Sequence, residues 1–395
     1  MTGHIEASAI SQFATSLPRA VGGGVPWASM RITDLSISVH RWDVPRTTYR
    51  DTFGGGSTNV GVVTIKTDQG VVGNSFLGSA SAGVDQFASQ VLQRLKPLVV
   101  GRNPLDIGAI WMDLWRSIRN VDTRSICAVD VALWDIAGKV ANLPVHRLLG
   151  TYRDSAPAYA SSAVMQSPED YAQEALRFRE SGWTAYKIHP LGKPKKDLEI
   201  CAAVKAAVGD SMVLMLDSMW SYGYEDALRV GLAIQDLGYY WYEDPLAEDD
   251  LYGYTKLRPQ LRIPILATEY APSGMYGYTE WIRQQATDML RGDVALKGGI
   301  TPMIKIAHLA EAFRMKCEIH HGGNSLNNVA NLHLTMAIPN CEYFEVLQPD
   351  AAQKHGLVQD IEVDAAGLVH APTAPGLGYE IDWGLINRNK VAELS

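Results

Sequence analysis

Met212-Val213-Leu214-Met215-Leu216-Asp217, Tyr239-Tyr240-Trp241-Tyr242-Glu243 and Ile263-Pro264-Ile265-Leu266-Ala267-Thr268-Glu269 are three short, largely apolar runs, each closed by an acid. Asp217 to Glu243 and Glu243 to Glu269 are both 26 residues, the length of one strand, one helix and two short loops. Runs this short and apolar read as strands buried on both faces of a parallel sheet.

The same alternation extends in both directions. Strand-like runs are expected at 158–164, 184–189, 212–217, 239–243, 263–269, 293–296, 317–320 and 342–346. Helical text lies between them, as in 168–180, 197–208, 224–237 and 301–313. Parallel strands need crossover helices, and eight such units predict a closed α/β barrel of the TIM type. The rival is an open doubly wound sheet, but no Gly-rich dinucleotide fingerprint follows the first run.

Upstream the pattern differs. Ile32, Leu35, Ile37 and Val39 read as a strand, and 61–73 as a hairpin turning at Gly70. Helical periodicity then runs from about 83 to 149. These features predict an α+β domain over 30–150 and a barrel over 151–365, followed by a C-terminal segment over 366–395. Residues 1–29, with Gly22-Gly23-Gly24 and no periodicity, are expected to be a flexible extension without the apolar core of a secretory signal.

A net charge of −8 and the lack of a Lys/Arg run give no footprint for nucleic acid. No apolar stretch suffices to span a bilayer. Cys127, Cys201, Cys317 and Cys341 form no CxxC pair, so buried free thiols and a cytoplasmic location are expected.

An acid at the end of each of three consecutive barrel strands puts Asp217, Glu243 and Glu269 on one rim, the face where barrel active sites lie. Side by side they repel, and a hard divalent cation relieves that; an all-carboxylate set suits Mg2+ better than zinc. Any one of the three could be an ordinary loop acid, but equal spacing of all three argues otherwise. Lys187 and His189, one strand earlier, share a face by strand alternation and are candidate bases. On the far side, Asp293 can orient and activate a histidine of the pair His320-His321, of which one faces the site. Glu345, ending the last strand, is a candidate protonated acid that donates to a developing oxyanion.

Together these residues resemble the enolase superfamily, in its mandelate racemase-like branch. The resemblance covers most of the chain from about Met30. It rests on the segment 128–139, Ala-Val-Asp-Val-Ala-Leu-Trp-Asp-Ile-Ala-Gly-Lys; on Trp241-Tyr242-Glu243-Asp244-Pro245; on Asp293 with Lys297-Gly298-Gly299-Ile300-Thr301; and on Pro375-Gly376-Leu377-Gly378. It implies magnesium on Asp217, Glu243 and Glu269, polarising a substrate carboxylate while its α-proton leaves to give an enediolate. It also implies bases at Lys187 and His189 on one face, with His321 paired to Asp293 on the other, and Glu345 at the carboxylate. A small-molecule carboxylate substrate, a homo-oligomer, and a 30–150 domain that caps the barrel with 366–395 returning to it follow by the same analogy. Two departures stand out: His189 replaces the second lysine of a common Lys-x-Lys pair, and Met219 replaces an asparagine common two residues after the first metal ligand.

Dehydration of an acid sugar to a 2-keto-3-deoxy acid is the first expectation. Racemisation or epimerisation of a 2-hydroxy acid comes second and cycloisomerisation third. Polar groups in 46–59 (Arg46, Tyr49, Arg50, Asp51, Ser57, Thr58, Asn59) suit a polyhydroxy acid, and Trp220, Tyr222, Tyr270 and Tyr276 are candidate pocket walls. A metal-dependent hydrolase is the alternative from a different class, disfavoured because the three acid-bearing strands carry no histidine ligand.

Overall fold

A computed structural model of the chain describes residues 29–44, 56–272 and 274–395. The expected N-terminal extension, and Arg46, Tyr49, Arg50 and Asp51 of the polar cap segment, lie outside the described residues.

The cap is an antiparallel sheet in the order β13-β1-β2-β3, built from β1 (Ile32–Val44), β2 (Gly56–Thr67), β3 (Val72–Leu77) and β13 (Lys390–Leu394). The last strand of the chain pairs with the first, Ile37 opposite Leu394. The helix Thr123–Ala141 packs on this sheet. Asp122 caps it by accepting from the Arg124 N–H at 2.8 Å, and Asn142 ends it in the left-handed region. Gly73 has no side chain for a plain reason: a Cβ there would collide with the Ala132 carbonyl oxygen of this helix.

The barrel has eight parallel strands: β4 (Ser155–Ser161), β5 (Ala185–Ile188), β6 (Val213–Asp217), β7 (Tyr242–Glu243), β8 (Ile265–Ala267), β9 (Met289–Gly292), β10 (Lys316–Ile319) and β11 (Phe344–Leu347). Hydrogen-bonded order runs β10-β9-β8-β7-β6-β5-β4-β11, with β12 (Leu368–His370) antiparallel to β4. The barrel is nearly closed: no ladder joins β10 to β11. The Glu318 carboxylate spans that seam instead, accepting from Glu342 N at 3.0 Å and Tyr343 N at 3.2 Å.

Inside the barrel the side chains are layered. Tyr159, Ala185, Met215, Trp241, Leu266, Met289 and Tyr343 fill one end with apolar bulk. One step further along the same strands stand the buried ionisable side chains Lys187, Asp217, Glu243, Arg291 and Glu345. The barrel thus has a dry floor and a charged upper layer, which positions the site.

One strand differs from the sequence expectation. The sixth barrel strand is Met289–Gly292, not 293–296; Val294–Lys297 is a helical turn capped by Asp293, which accepts from Leu296 N at 2.9 Å. The apolar run Val294-Ala295-Leu296 buries one side of that turn, and Arg291 breaks the apolar text of the true strand.

The segments that carry the family resemblance meet in space. Asp130 accepts from Thr301 N at 3.0 Å, Trp134 Nε1 donates to Thr301 Oγ1 at 2.9 Å, and Asp135 accepts from Leu377 N at 2.9 Å. Gly299 takes a φ of 119° and lies against Asp130, where any Cβ would clash. These motifs therefore sew cap, barrel and C-terminal return together. All four cysteines are free and buried. Among the described residues no helix is long and apolar enough to cross a membrane.

Candidate active site

Asp217 and Glu243 end β6 and β7 in direct register, and Glu269 follows β8 by two residues. Strand alternation would turn Thr268 inward. Thr268 instead takes a left-handed φ of 87°, and its hydroxyl exchanges bonds with Arg291 N and O on the next strand. That twist re-aims the chain, and Glu269 becomes the third acid of the group. One carboxylate oxygen from each of Asp217, Glu243 and Glu269 lies within 4.8 Å of the others, all three side chains buried. Burial raises Glu243 and lifts Glu269 to about 8; Asp217 is held low because Lys187 and His189 outweigh its own burial.

Lys187 lies at the centre of this charged layer with no exposed surface. Its Nζ stands 2.8 Å from Glu345, 3.0 Å from Glu243 and 3.3 Å from Asp217. Burial and Arg291 disfavour its ammonium, but Glu243 and Glu345 prevail and hold it well above the ordinary lysine range. In this arrangement the candidate base Lys187 is a counter-charge to three carboxylates. His189 is different. Nδ1 meets the Ser162 carbonyl at 2.6 Å, Nε2 meets Asp217 Oδ2 at 2.9 Å, and the ring lines the main cavity.

On the other flank, the histidine paired with Asp293 is His320, not the expected His321. His320 Nδ1 lies 2.7 Å from Asp293 Oδ2, and Nε2 lies 3.2 Å from Glu269 Oε1. Burial pulls His320 down, but Glu269 and Asp293 override it and lift the ring to about 9. His321 turns to Asn328 (Nε2 to Nδ2, 2.7 Å) and Gly323 N (3.1 Å), and burial lowers it to about 4. Both rings border the cavity. The physical reason is phase: Cys317 and Ile319 pack outward into the helix layer, so Glu318 and His320 face inward.

Glu345, the candidate acid, is surrounded by donors. Its oxygens accept from Arg291 (2.6 Å) and His321 N (2.9 Å) and face Lys187 (2.8 Å); against burial, Arg291 and Lys187 hold it ionised. The sequence reading missed Arg291. This buried guanidinium also touches Glu243 and bonds Tyr159 Oη at 3.0 Å, balancing the acids from below. A lone arginine inside the apolar text of a barrel strand was the available signal.

The cavity measures about 560 Å³ and borders Asp217, Glu269, His189, His320 and Glu345 together. Of the expected aromatic walls, Trp220 and Tyr270 line it. Tyr222 is buried with its hydroxyl on Asp197, and Tyr276 lies tilted against Trp115, so neither belongs to the wall.

Residues 33–150 match the mandelate racemase / muconate lactonizing enzyme N-terminal domain, and residues 170–385 match the enolase C-terminal domain-like family. The chain belongs to the enolase superfamily, in its mandelate racemase and muconate lactonizing enzyme branch. Within that superfamily it is 29% identical over 344 residues to the arabinonate dehydratase of Saccharolobus solfataricus, covering 82% of this chain and 89% of that enzyme. It is 28% identical over 334 residues to the 3,6-anhydro-alpha-L-galactonate cycloisomerase of Streptomyces coelicolor, covering 82% and 90%. The crystal structure of D-glucarate dehydratase from Agrobacterium tumefaciens, complexed with magnesium, matches with a TM-score of 0.81 at 32% identity, covering 92% of this chain and 100% of that one. The chain is thus an enzyme of the superfamily whose relatives are lyases and isomerases, which leaves the hydrolase alternative without support.

Proposed function

We propose that this enzyme removes the proton next to the carboxylate of an acid sugar and then expels the neighbouring hydroxyl, giving a 2-keto-3-deoxy acid. The observation that carries this reading is the placement of two imidazoles. His189 touches Asp217, the first acid of the triad, and His320 touches Glu269, the last; both border one cavity. The relatives that act on arabinonate and glucarate support the substrate class.

The donor set fits magnesium. Three buried carboxylates on neighbouring strand ends offer only oxygen, and their mutual repulsion is what a hard cation offsets. Bound there, the ion would draw charge from the substrate carboxylate as the α-proton leaves. The protein's own groups do the rest. His189, with Nδ1 against the Ser162 carbonyl, would accept the α-proton at Nε2 once Asp217 Oδ2, which Nε2 faces at 2.9 Å, is engaged as a metal ligand instead. His320, its ring oriented by Asp293 at Nδ1, delivers a proton to the departing hydroxyl. Lys187 and Arg291 hold Glu345 and Glu243 in place, and the apolar floor keeps water out from below.

The same pair of imidazoles supports a second reading, racemisation or epimerisation, in which one ring removes the proton and the other returns it to the opposite face. A panel of acid sugars with magnesium in D2O separates the two. Keto acid formation supports dehydration, and solvent deuterium in unreacted acid without keto product supports the racemase. Failure of every acid to exchange or react overturns both. The four buried thiols fit a reducing cytoplasm, and a homo-oligomer, tested by light scattering, belongs to the same reading.

A further inference from the structure

The loop after β11 is tied down along its length. Gln348 N donates to Ser161 O at 2.8 Å, and Ala352 N to Pro349 O at 2.9 Å. Lys354 donates to Asp350 twice, from N to the carbonyl and from Nζ to Oδ2, each at 2.9 Å. His355 N then donates to Ser325 Oγ at 2.9 Å. Gln353 lies inside this tied segment. Its own N–H donates to Asp350 O at 2.9 Å, it is only 8% exposed, and it borders the catalytic cavity.

The side-chain amide of Gln353 bonds no other described residue. Buried amides rarely stay so, because each can donate twice and accept twice. The neighbouring amides obey that rule: Asn327 donates to Gly322 O at 3.1 Å, and Asn328 accepts from Gly322 N at 2.7 Å. Gln353 is a buried polar group on a fixed backbone, and the cavity is where its partner can enter.

The proposed reaction already occupies Asp217 and Glu269 with the metal, and His189 and His320 with the two reacting carbons. An acid sugar carries further hydroxyls, and each gives up water on entering the site. A hydroxyl both donates and accepts, as an amide does, and neither is charged. We propose that Gln353 is a substrate-binding residue that hydrogen-bonds a hydroxyl of the acid sugar beyond the two reacting carbons, and so helps set which polyhydroxy acids the enzyme takes. This rests on the acid-sugar reading.

The test is calorimetric binding of the pentonates and hexonates, with magnesium, to wild type and to Gln353→Met, with kinetics for those that turn over. Met keeps nearly the same volume and removes the amide. Affinity for the acid that wild type holds best is expected to fall about tenfold, the scale of one neutral hydrogen bond, with the kinetic loss in KM rather than kcat. Magnesium affinity is expected to stay unchanged. Thermal stability is expected to hold or rise, because the amide has no partner in the protein; a loss of stability would mark it as structural and overturn the inference. Gln353→Asn, which withdraws the amide by one carbon, is expected to weaken the same acid, so the test does not hang on one variant. Monodeoxy forms of that acid at each carbon beyond the third then locate the contact: one of them should bind wild type and Gln353→Met alike. Unchanged affinity in both variants, or an equal loss for every monodeoxy form, overturns the inference alone. No binding of any pentonate or hexonate to wild type overturns the acid-sugar reading and the inference with it.

Discussion

His189 and Asp217 meet at 2.9 Å, Nε2 to Oδ2, on the same oxygen that Lys187 approaches at 3.3 Å. Two nitrogens from β5 and its loop therefore compete for a carboxylate that the proposed metal also needs. Replacing Asp217 by Asn keeps the shape and removes the charge. Magnesium affinity, read by calorimetry, is expected to fall at least tenfold. Wild type should gain about 2.7 kcal/mol of stability when magnesium reaches a hundred times its Kd, and Asp217→Asn at the same magnesium should gain markedly less. Equal affinity in the two proteins would place the metal elsewhere.

His320 and His321 are neighbours in sequence but have opposite surroundings. His320→Asn removes the ring that bridges Asp293 and Glu269. Its turnover is expected to drop by about 10²–10⁴, the usual worth of a positioned acid or base, with the fold intact by circular dichroism. His321→Asn removes a ring held by Asn328 and Gly323 and should retain turnover within about tenfold. The reverse order would restore the pairing first expected from sequence.

Lys187 is the counter-charge of a buried layer. Lys187→Met leaves Asp217, Glu243 and Glu345 facing one another without their ammonium. Breaking a buried ion pair on one side costs about 3–5 kcal/mol. Chemical denaturation without metal should show a loss of that order, and magnesium should return part of it. A variant as stable as wild type in EDTA would show that Arg291 alone balances the acids.

The barrel and the acid triad were legible because both are written in period and spacing. Parallel strands buried on both faces leave short apolar runs, and an acid ending each run survives any error of a residue or two in boundaries. Asp293 was harder: its apolar followers Val294, Ala295 and Leu296 satisfy a strand and a buried helical turn alike, and only the cap bond to Leu296 N distinguishes them. His320 was readable in principle, since Cys317 and Ile319 mark the outward phase of β10. The re-aiming of Glu269 by the positive φ of Thr268 is a backbone event that no side-chain pattern records. Arg291 and Lys187 act through neighbours brought from other strands, so their roles appear only once the barrel closes.

Glu318 bridges the seam between β10 and β11, fully buried, with Glu342 N and Tyr343 N as its backbone donors and Cys341 Sγ as a weaker one at 3.6 Å. Burial outweighs those bonds and raises the carboxyl from its ordinary 4.5 to about 7. The sign follows from proton counting. Between about pH 4.5 and pH 7 the folded chain holds a proton on Glu318 that the unfolded chain has released, so stability falls as pH rises through that window. The shift corresponds to about 3 kcal/mol at most. Glu318→Gln cannot ionise. Its unfolding free energy, from urea titrations at pH 5, 6, 7 and 8, should lack this component, so the wild-type curve falls relative to the variant's with rising pH. Parallel curves would mean that the seam carboxylate is ionised across the whole range, and that its two backbone donors outweigh the cost of burying its charge.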